Sequence, residues 1–409
     1  MSEVISLRSI TSKIGSGATP KGGNTVYENS GIAFIRSQNV LDMSFSTQNL
    51  AYITNEQANK LNNVIVESND ILLNITGDSI ARCTIVPDEL LPARVNQHVS
   101  IIRCISPDYA NYVCYYLQFL KPYLLQICKV GGTRNALTKE AIENLPIVIQ
   151  EEYKKIGKLL STIDQKIALN NQINEELEAM AKTLYDYWFV QFDFPDQNGN
   201  PYKSSGGKMV YHPELKREIP ERWGVEKLGD ISQYVSEKVG SSELNKENYV
   251  GTDNMIADMG GIELTTSIPK SGTSTKFSVG DILISNIRPY FKKIWLSDRT
   301  GGCSADVLCI RTNRIIYKEF VYATLARDDF FNYDVAGSKG SKMPRGDKKH
   351  IMEYPIVFEF EIADQFSKIV RPIYEAVHKN YNQNQELTQL RDWLLPMLMN
   401  GQARVEDKT

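Results

Sequence analysis

No Cys-x-x-Cys pair occurs in this 409-residue chain, and only four histidines are present to join its six cysteines. Cys83, Cys104, Cys114, Cys128, Cys303 and Cys309 sit mostly in apolar or mixed runs, where a reduced cysteine acts as a small hydrophobe. Their spacing does not match a structural zinc site, and free thiols fit a cytoplasmic protein. The chain lacks a Gly-x-x-x-x-Gly-Lys-Ser/Thr loop, which excludes the usual phosphate cradle of a helicase or ATPase. No Gly-x-Gly-x-x-Gly links a strand to a helix, which argues against a dinucleotide site. Gly-x-Ser-x-Gly is missing as well. No apolar run approaches the ~20 residues of a membrane span, and Met1-Ser2-Glu3-Val4 does not open a secretion signal. A large charge excess is absent too. With a formal net charge of -3, any nucleic-acid surface must be local or completed by a partner.

What is present is a near-repetition, and the length allows two or three domains. Leu145-Pro146-Ile147-Val148 leads into a long apolar-periodic stretch, and about 210 residues later Tyr354-Pro355-Ile356-Val357 leads into another. Leu7-Arg8-Ser9-Ile10 parallels Leu228-Gly229-Asp230-Ile231, and Asn69-Asp70-Ile71-Leu72 parallels Gly280-Asp281-Ile282-Leu283. The pattern predicts an α/β (α+β) chain with a two-fold pseudo-repeat. Its segments are a mixed domain at 1–148, a long helix within 149–192, an extended linker at 193–222, a second mixed domain at 223–357, and a second long helix with a tail at 358–409. Ile156, Leu160, Ile163, Ile167, Ile173, Leu177, Met180 and Leu184 form one stripe. Phe366, Ile369, Ile373, Val377, Leu387, Leu390 and Leu394 form the other. Stripes this long need partners, and each copy offers one to the other as an antiparallel coiled coil. Both lapse at the same place: Asn170, Asn171, Gln172 and Asn174 match Asn380, Tyr381, Asn382 and Asn384. Polar seam residues fix register at some cost in stability; a bundle core with a solvated gap is the plainer alternative. Pro372 predicts a local kink.

Specific DNA binding needs cations for phosphate and planar multi-donor side chains for base edges. The first half offers Lys21 beside Gly22-Gly23, then Arg36, Gln38 and Asn39, then Lys129, Arg134 and Asn135 in a glycine-bearing loop. The second offers Arg288, Tyr290 and Lys292, then Lys339, Lys342 and Arg345 in another such loop. Each cluster alone reads more readily as a solvated loop than as a reading head; recurrence at matching places in two copies brings the two readings level. His98 reads as a hydrogen-bonded domain residue, His350 as a phosphate contact, and His212 and His378 as surface. Asn286-Ile287-Arg288-Pro289-Tyr290 has a faint likeness to the Asn-Pro-Pro-Tyr of amino-methyltransferases, but lacks the first proline.

The layout resembles the DNA-specificity subunit of type I restriction-modification enzymes. The residues that carry the resemblance are Gly17-Ala18-Thr19-Pro20 followed by Ile35-Arg36, Asn96-Gln97-His98, Gly131-Gly132-Thr133-Arg134, Ile287-Arg288-Pro289-Tyr290 and Ile219-Pro220-Glu221-Arg222-Trp223. The resemblance implies two target-recognition domains, each reading one part of a bipartite double-stranded DNA target. It implies paired helices that set the unread spacer and dock two modification subunits. S-adenosylmethionine, and ATP with Mg in the full complex, belong to the modification and restriction subunits, so this chain is expected to bind no cofactor and to be non-catalytic. Base-contacting residues do not carry over, because recognition domains in the family are dissimilar. Rival readings are a coiled-coil scaffold without sequence-specific DNA binding and a degenerate methyltransferase.

Overall fold

The structure, a computed structural model, describes residues 3–128, 136–314, 317–340 and 342–406. It divides into two compact units, Met1–Leu169 with Glu386–Thr409, and Asn170–Gln385.

In the first unit, strand Ile71–Asn74 is buried at all four positions, as befits a central strand covered on both faces. It lies in a four-stranded antiparallel sheet between Val99–Cys104, itself paired with Thr11–Ser16, and Cys83–Ile85. A second sheet orders Ala51–Ile53, Ile32–Ile35, Ala93–Val95 and Ile65–Val66, with Ile32–Ile35 and Ala93–Val95 parallel. Helix Pro107–Phe119 covers the first sheet, capped by Ser106 with Pro107 in its first turn.

The second unit repeats the antiparallel sheet strand for strand; in the other sheet three strands match and the fourth changes edge, Ala51–Ile53 flanking Ile32–Ile35 where Lys238–Gly240 flanks Thr273–Phe277. Ser232–Tyr234, Val307–Thr312, Ile282–Ser285 and Ile294–Leu296 form its antiparallel sheet. Lys238–Gly240, Thr273–Phe277, Gly301–Cys303 and Tyr249–Val250 form its other sheet, again with one parallel pair. The turns entering the two central strands match in detail. Asn69 and Gly280 take left-handed backbone angles, φ 65° and 90°, residues that reach this region at low cost. The next residue caps the turn: Asp70 accepts the Glu67 N–H at 2.8 Å, and Asp281 accepts the Ser278 N–H at 2.7 Å. Each carboxylate then takes a two-pronged arginine, Arg103 at 2.8 and 2.8 Å and Arg311 at 2.7 and 2.8 Å. Planar fork-to-carboxylate pairing ties together the two inner strands of the antiparallel sheet in both units.

The long helices run Tyr153–Tyr185 and Phe360–Met399, 33 and 40 residues, or about 50 and 60 Å. Phe360–Met399 passes through Pro372 without interruption. In the second unit the helices pair antiparallel through their asparagines, Asn170 Nδ2 donating to Asn384 Oδ1 and Asn380 Nδ2 to Asn174 Oδ1, each at 2.8 Å. The two bonds are equivalent under the internal repeat, so the polar residues meet across the helix pair where both stripes lapse. In the first unit Arg391 pairs with Asp164 at 2.7 Å, and Leu398 packs in one cluster with Ile156 and Leu160.

Two expectations need correction. The seam is not the whole predicted stripe: Ile173, Met180, Ile369 and Leu390 are exposed, while Asn170, Asn174, Ala181, Tyr185, Ala363, Val370 and Tyr374 are buried. A seam repeating every 3.5 residues drifts off a stripe drawn by hydrophobicity alone. The segment 193–222 is not an extended linker either. Asp193 binds the Ser204 N–H and hydroxyl, Met209–His212 pairs with Arg217–Pro220, and Phe194 stacks between Tyr202 and Trp223. Its turn-forming residues carry enough aromatic surface to pack it against the second unit's core.

Candidate nucleic-acid interface

Three loops converge at one end of the antiparallel sheet in each unit, on the same backbone frame. In the first unit the turn after Val95 is held by Asn96 N–H to Ile35 O at 3.0 Å and Val99 N–H to Asn96 O at 3.2 Å. In the second, Ser304 N–H to Val250 O at 2.9 Å and Val307 N–H to Ser304 O at 3.1 Å do the same. The turn after the central strand joins it, through Ile75 N–H to His98 O at 3.0 Å and through Asn286 N–H to Asp306 O at 2.8 Å. The end of the glycine-bearing loop closes the site: Thr76 bridges Ala136, and Ile287 bridges Arg345. Leu137 N–H to Ile75 O at 2.9 Å and Gly346 N–H to Asn286 O at 3.2 Å complete the match. The frame thus sets His98 opposite Asp306, and Gln97 opposite Ala305: like backbone, unlike side chains.

In the second unit the structure brings Arg288, Tyr290, Lys339 and Arg345 together. Arg288 takes φ 51° with its N–H on Pro344 O at 2.8 Å. A β-branched or bulky residue is costly in that conformation, so its use in a loop points to function. Tyr290 is half exposed and packs against Phe291. Lys339 and Arg345 exchange backbone hydrogen bonds at 2.9 Å. Lys342 is exposed in the same loop. The cations are neutralised locally: Lys292 by Asp328 at 2.6 Å, Lys339 by Asp347 at 2.6 Å and Arg345 by Asp306 at 3.1 Å. Asp328 raises the Lys292 pKa, and Lys339 together with the His350 and Lys349 N–H groups holds the Asp347 carboxyl down at about 2. Exposed pairs of this kind add little to stability, so phosphate can replace the carboxylates at little cost.

In the first unit Lys21 is exposed in a turn formed by Gly22 and Gly23 at positive φ. The Arg36 guanidinium lies 5.3 Å over the Tyr27 ring and donates to Asn49 O at 2.5 Å; Gln38 is exposed and donates to the same carbonyl at 3.3 Å. Asn39 is fully buried. It accepts the Arg36 N–H at 3.1 Å and donates to Ser46 O at 2.9 Å. Asn254 holds the equivalent turn in the second unit, accepting the Gly251 N–H at 2.7 Å. Asn39 is therefore a turn-holding residue with its amide turned inward, and it leaves the set of base readers. Lys129, Arg134 and Asn135 lie outside the described residues.

His350 also departs from its reading as a phosphate contact. Its ring stacks on Tyr333 at 3.9 Å and bonds Tyr333 O at 3.0 Å. His378 is half buried rather than on the surface, and burial lowers its pKa. All six cysteines are free thiols. Sequence reasoning missed Thr19, Thr76 and Gln97, which meet His98 at the mouth of the first unit's frame. The signal was available in Gly17-Ala18-Thr19 and Asn96-Gln97-His98, two motifs whose spatial meeting the sequence does not reveal.

Residues 2–179 match the family described as the type I restriction modification DNA specificity domain. The MjaIX specificity subunit of Methanocaldococcus jannaschii is 27% identical over 282 residues, which cover 64% of this chain and 61% of that one. The HindI specificity subunit of Haemophilus influenzae is 23% identical over 334 residues, covering 66% of this chain and 72% of that one. Among solved structures, the S subunit of a type I restriction-modification system from M. genitalium shares the fold. It has a TM-score of 0.57 at 13% identity, covering 100% of this chain and 97% of that chain.

Proposed function

We propose, from the chain's similarity to type I restriction-modification specificity subunits, that each of its two mixed domains reads one part of a bipartite double-stranded DNA target. What supports this reading above all is the repeated loop frame with unlike side chains. Identical backbone hydrogen bonds hold two reading surfaces in the same form, while Gln97 and His98 in one are Ala305 and Asp306 in the other. Such a pair suits two different half-sites. Arg345 and Arg288 supply forked donors suited to guanine or phosphate, and Lys21, Lys339 and Lys342 supply phosphate charge.

The paired helices set the spacer between the half-sites and dock two modification subunits. Met180 and Leu390 occupy equivalent places in the repeat and are 58% and 43% exposed, so the two helices offer related apolar contacts to two copies of one partner. The chain acts in the cytoplasm and supplies address and geometry. Adenine methylation with S-adenosylmethionine, and ATP- and Mg-dependent translocation and cleavage, fall to the modification and restriction subunits.

The test is a map of methylated adenines across the genome of a strain that carries the chain and its modification subunit. A bipartite motif lost on deletion of the chain is the expected result; no motif, or one unaffected by deletion, overturns it. Electrophoretic binding with the modification subunit adds a finer test. Arg134→Ala and Arg345→Ala should each weaken affinity or relax base preference, and intact behaviour in both would remove the loops from the reading surface.

A further inference from the structure

Thr19, Thr76, Gln97 and His98 come from three separate segments and join in a single hydrogen-bonded chain. Thr19 is delivered by Gly17, which lies so close to the Val95 and Asn96 carbonyls that an added Cβ would meet their oxygens at 2.1 and 2.3 Å. Gly17 N–H to Val99 O at 2.9 Å and Ala18 N–H to Val95 O at 3.0 Å lock that approach. The Thr19 hydroxyl donates to Gln97 Oε1. The Gln97 amide nitrogen, which can only donate, meets His98 Nε2 at 3.3 Å. That assigns the imidazole proton to Nδ1, from which it is donated to Thr76 Oγ1 at 2.6 Å. Asn96 Oδ1 accepts the His98 N–H at 3.1 Å and fixes the turn beneath them.

The consequence is an exposed amide whose two ends are told apart. Thr19 holds the oxygen end and His98 the nitrogen end, and each takes only one hydrogen-bonding position. One acceptor position on Oε1 and one N–H on Nε2 stay free. An exposed glutamine would otherwise turn freely and present either order. Here the order is set before any ligand arrives, so little rotamer freedom is lost on binding.

We propose that Gln97 is a specificity-determining residue that reads one adenine in the major groove, Oε1 accepting from N6–H and Nε2 donating to N7, the bidentate match of a glutamine amide. Thr19, His98 and Thr76 are positioning residues that fix the amide's orientation. The second unit has Ala305 in this place and lacks this contact, so the adenine belongs to the first half-site alone. The inference rests on the reading of the chain as a DNA-specificity subunit.

The experiment is selection of targets from a random duplex library by the full chain with its modification subunit, comparing the wild type with Gln97→Ala, Thr19→Val and Thr19→Ser. The wild type should return a bipartite motif. Gln97→Ala should lose preference at one A·T position of one half-site and leave the other half-site intact. Thr19→Val should blur the same position, and Thr19→Ser, which keeps the hydroxyl, should restore it. In the recovered target, 7-deazaadenine at that position should weaken wild-type binding by roughly 5- to 150-fold and leave Gln97→Ala unaffected. An unchanged motif in Gln97→Ala overturns this assignment while the specificity-subunit reading stands. Loss of the whole half-site also overturns it, because Gln97 would then hold the domain together. If the wild type selects no motif, both readings fall.

Discussion

Replacing Asn170 by alanine should loosen the helix pair by about 2 kcal/mol, because four side chains share one hydrogen-bonded network there. Asn170 is 0% exposed and Asn384 9% exposed. Asn170 Nδ2 donates to Asn384 Oδ1 at 2.8 Å and Gln383 Oε1 at 2.9 Å, while Asn384 Nδ2 donates to Asn171 Oδ1 at 2.7 Å. Truncating Asn170 strands a buried acceptor, which costs about 1–3 kcal/mol. Truncating Asn384 costs less, because Gln383 still accepts from Asn170. The two changes should be coupled by about 1 kcal/mol, within the range for residues in one network. Asn170→Leu with Asn384→Leu should be near neutral or stabilising, since both polar groups leave together. That variant removes a register-fixing contact, so its selected targets should tolerate more than one spacer length. Hydrogen exchange by mass spectrometry on peptides from 170–185 and 370–385 reads the opening free energy of this stretch directly. Strictly additive single effects, or an Asn170→Ala effect under about 0.5 kcal/mol, would refute the idea that these amides hold the seam.

Three further outcomes are expected. Asp70→Asn should destabilise the first unit by about 3 kcal/mol, the low end for a broken buried pair because the Arg103 side chain keeps 20% exposure. Asp281→Asn should do the same to the second unit, and limited proteolysis of each would show whether the effect is confined to the mutated half. Gly17→Ala forces its Cβ onto the Val95 and Asn96 carbonyl oxygens, so overpacking of about 1–3 kcal/mol should lower the first unit's thermal midpoint, and an unchanged midpoint would count against the close approach. Burial raises the Glu178 carboxyl to about 7, with the Tyr381 hydroxyl opposing and Glu175 adding to the shift. The unfolded chain ionises this group in the ordinary carboxylate range, so between that range and pH 7 the folded state binds the extra proton. Stability contributed by Glu178 is therefore complete below the unfolded value and is lost as pH rises to about 7. Glu178→Gln should flatten that slope, which thermal melts at a series of pH values would detect.

The repeat was legible because it is written in local chemistry. Asn69-Asp70 and Gly280-Asp281 mark turns that require left-handed backbone, and Asn170-Asn174 and Asn380-Asn384 mark polar seam positions; all proved to hold equivalent places. The stripes were less legible. Met180 and Leu390 look like core residues by spacing alone, yet both are exposed, because the true seam follows the partner helix rather than the hydrophobicity of one. Segment 193–222 misled for a related reason. Its glycines, serines and prolines describe turns, whereas Phe194, Tyr202 and Trp223 decide that those turns pack.

The site divides along the same line. Residue type alone nominated Arg36, Arg288 and Arg345, since forked donors match both base edges and phosphate. It also nominated Asn39, which has the right chemistry and the wrong direction: its amide is turned into the fold. No local rule distinguishes an asparagine facing a base from one facing its own turn. By itself the sequence determined the doubling, the long helices, the register asparagines and the absence of familiar catalytic loops, because each depends on neighbours a few residues away. Only the tertiary structure decided that Gly17-Ala18-Thr19, Thr76 and Asn96-Gln97-His98 meet at one place. That meeting depends on hydrogen bonds between segments about 80 residues apart, and no periodicity within a single segment encodes such a contact.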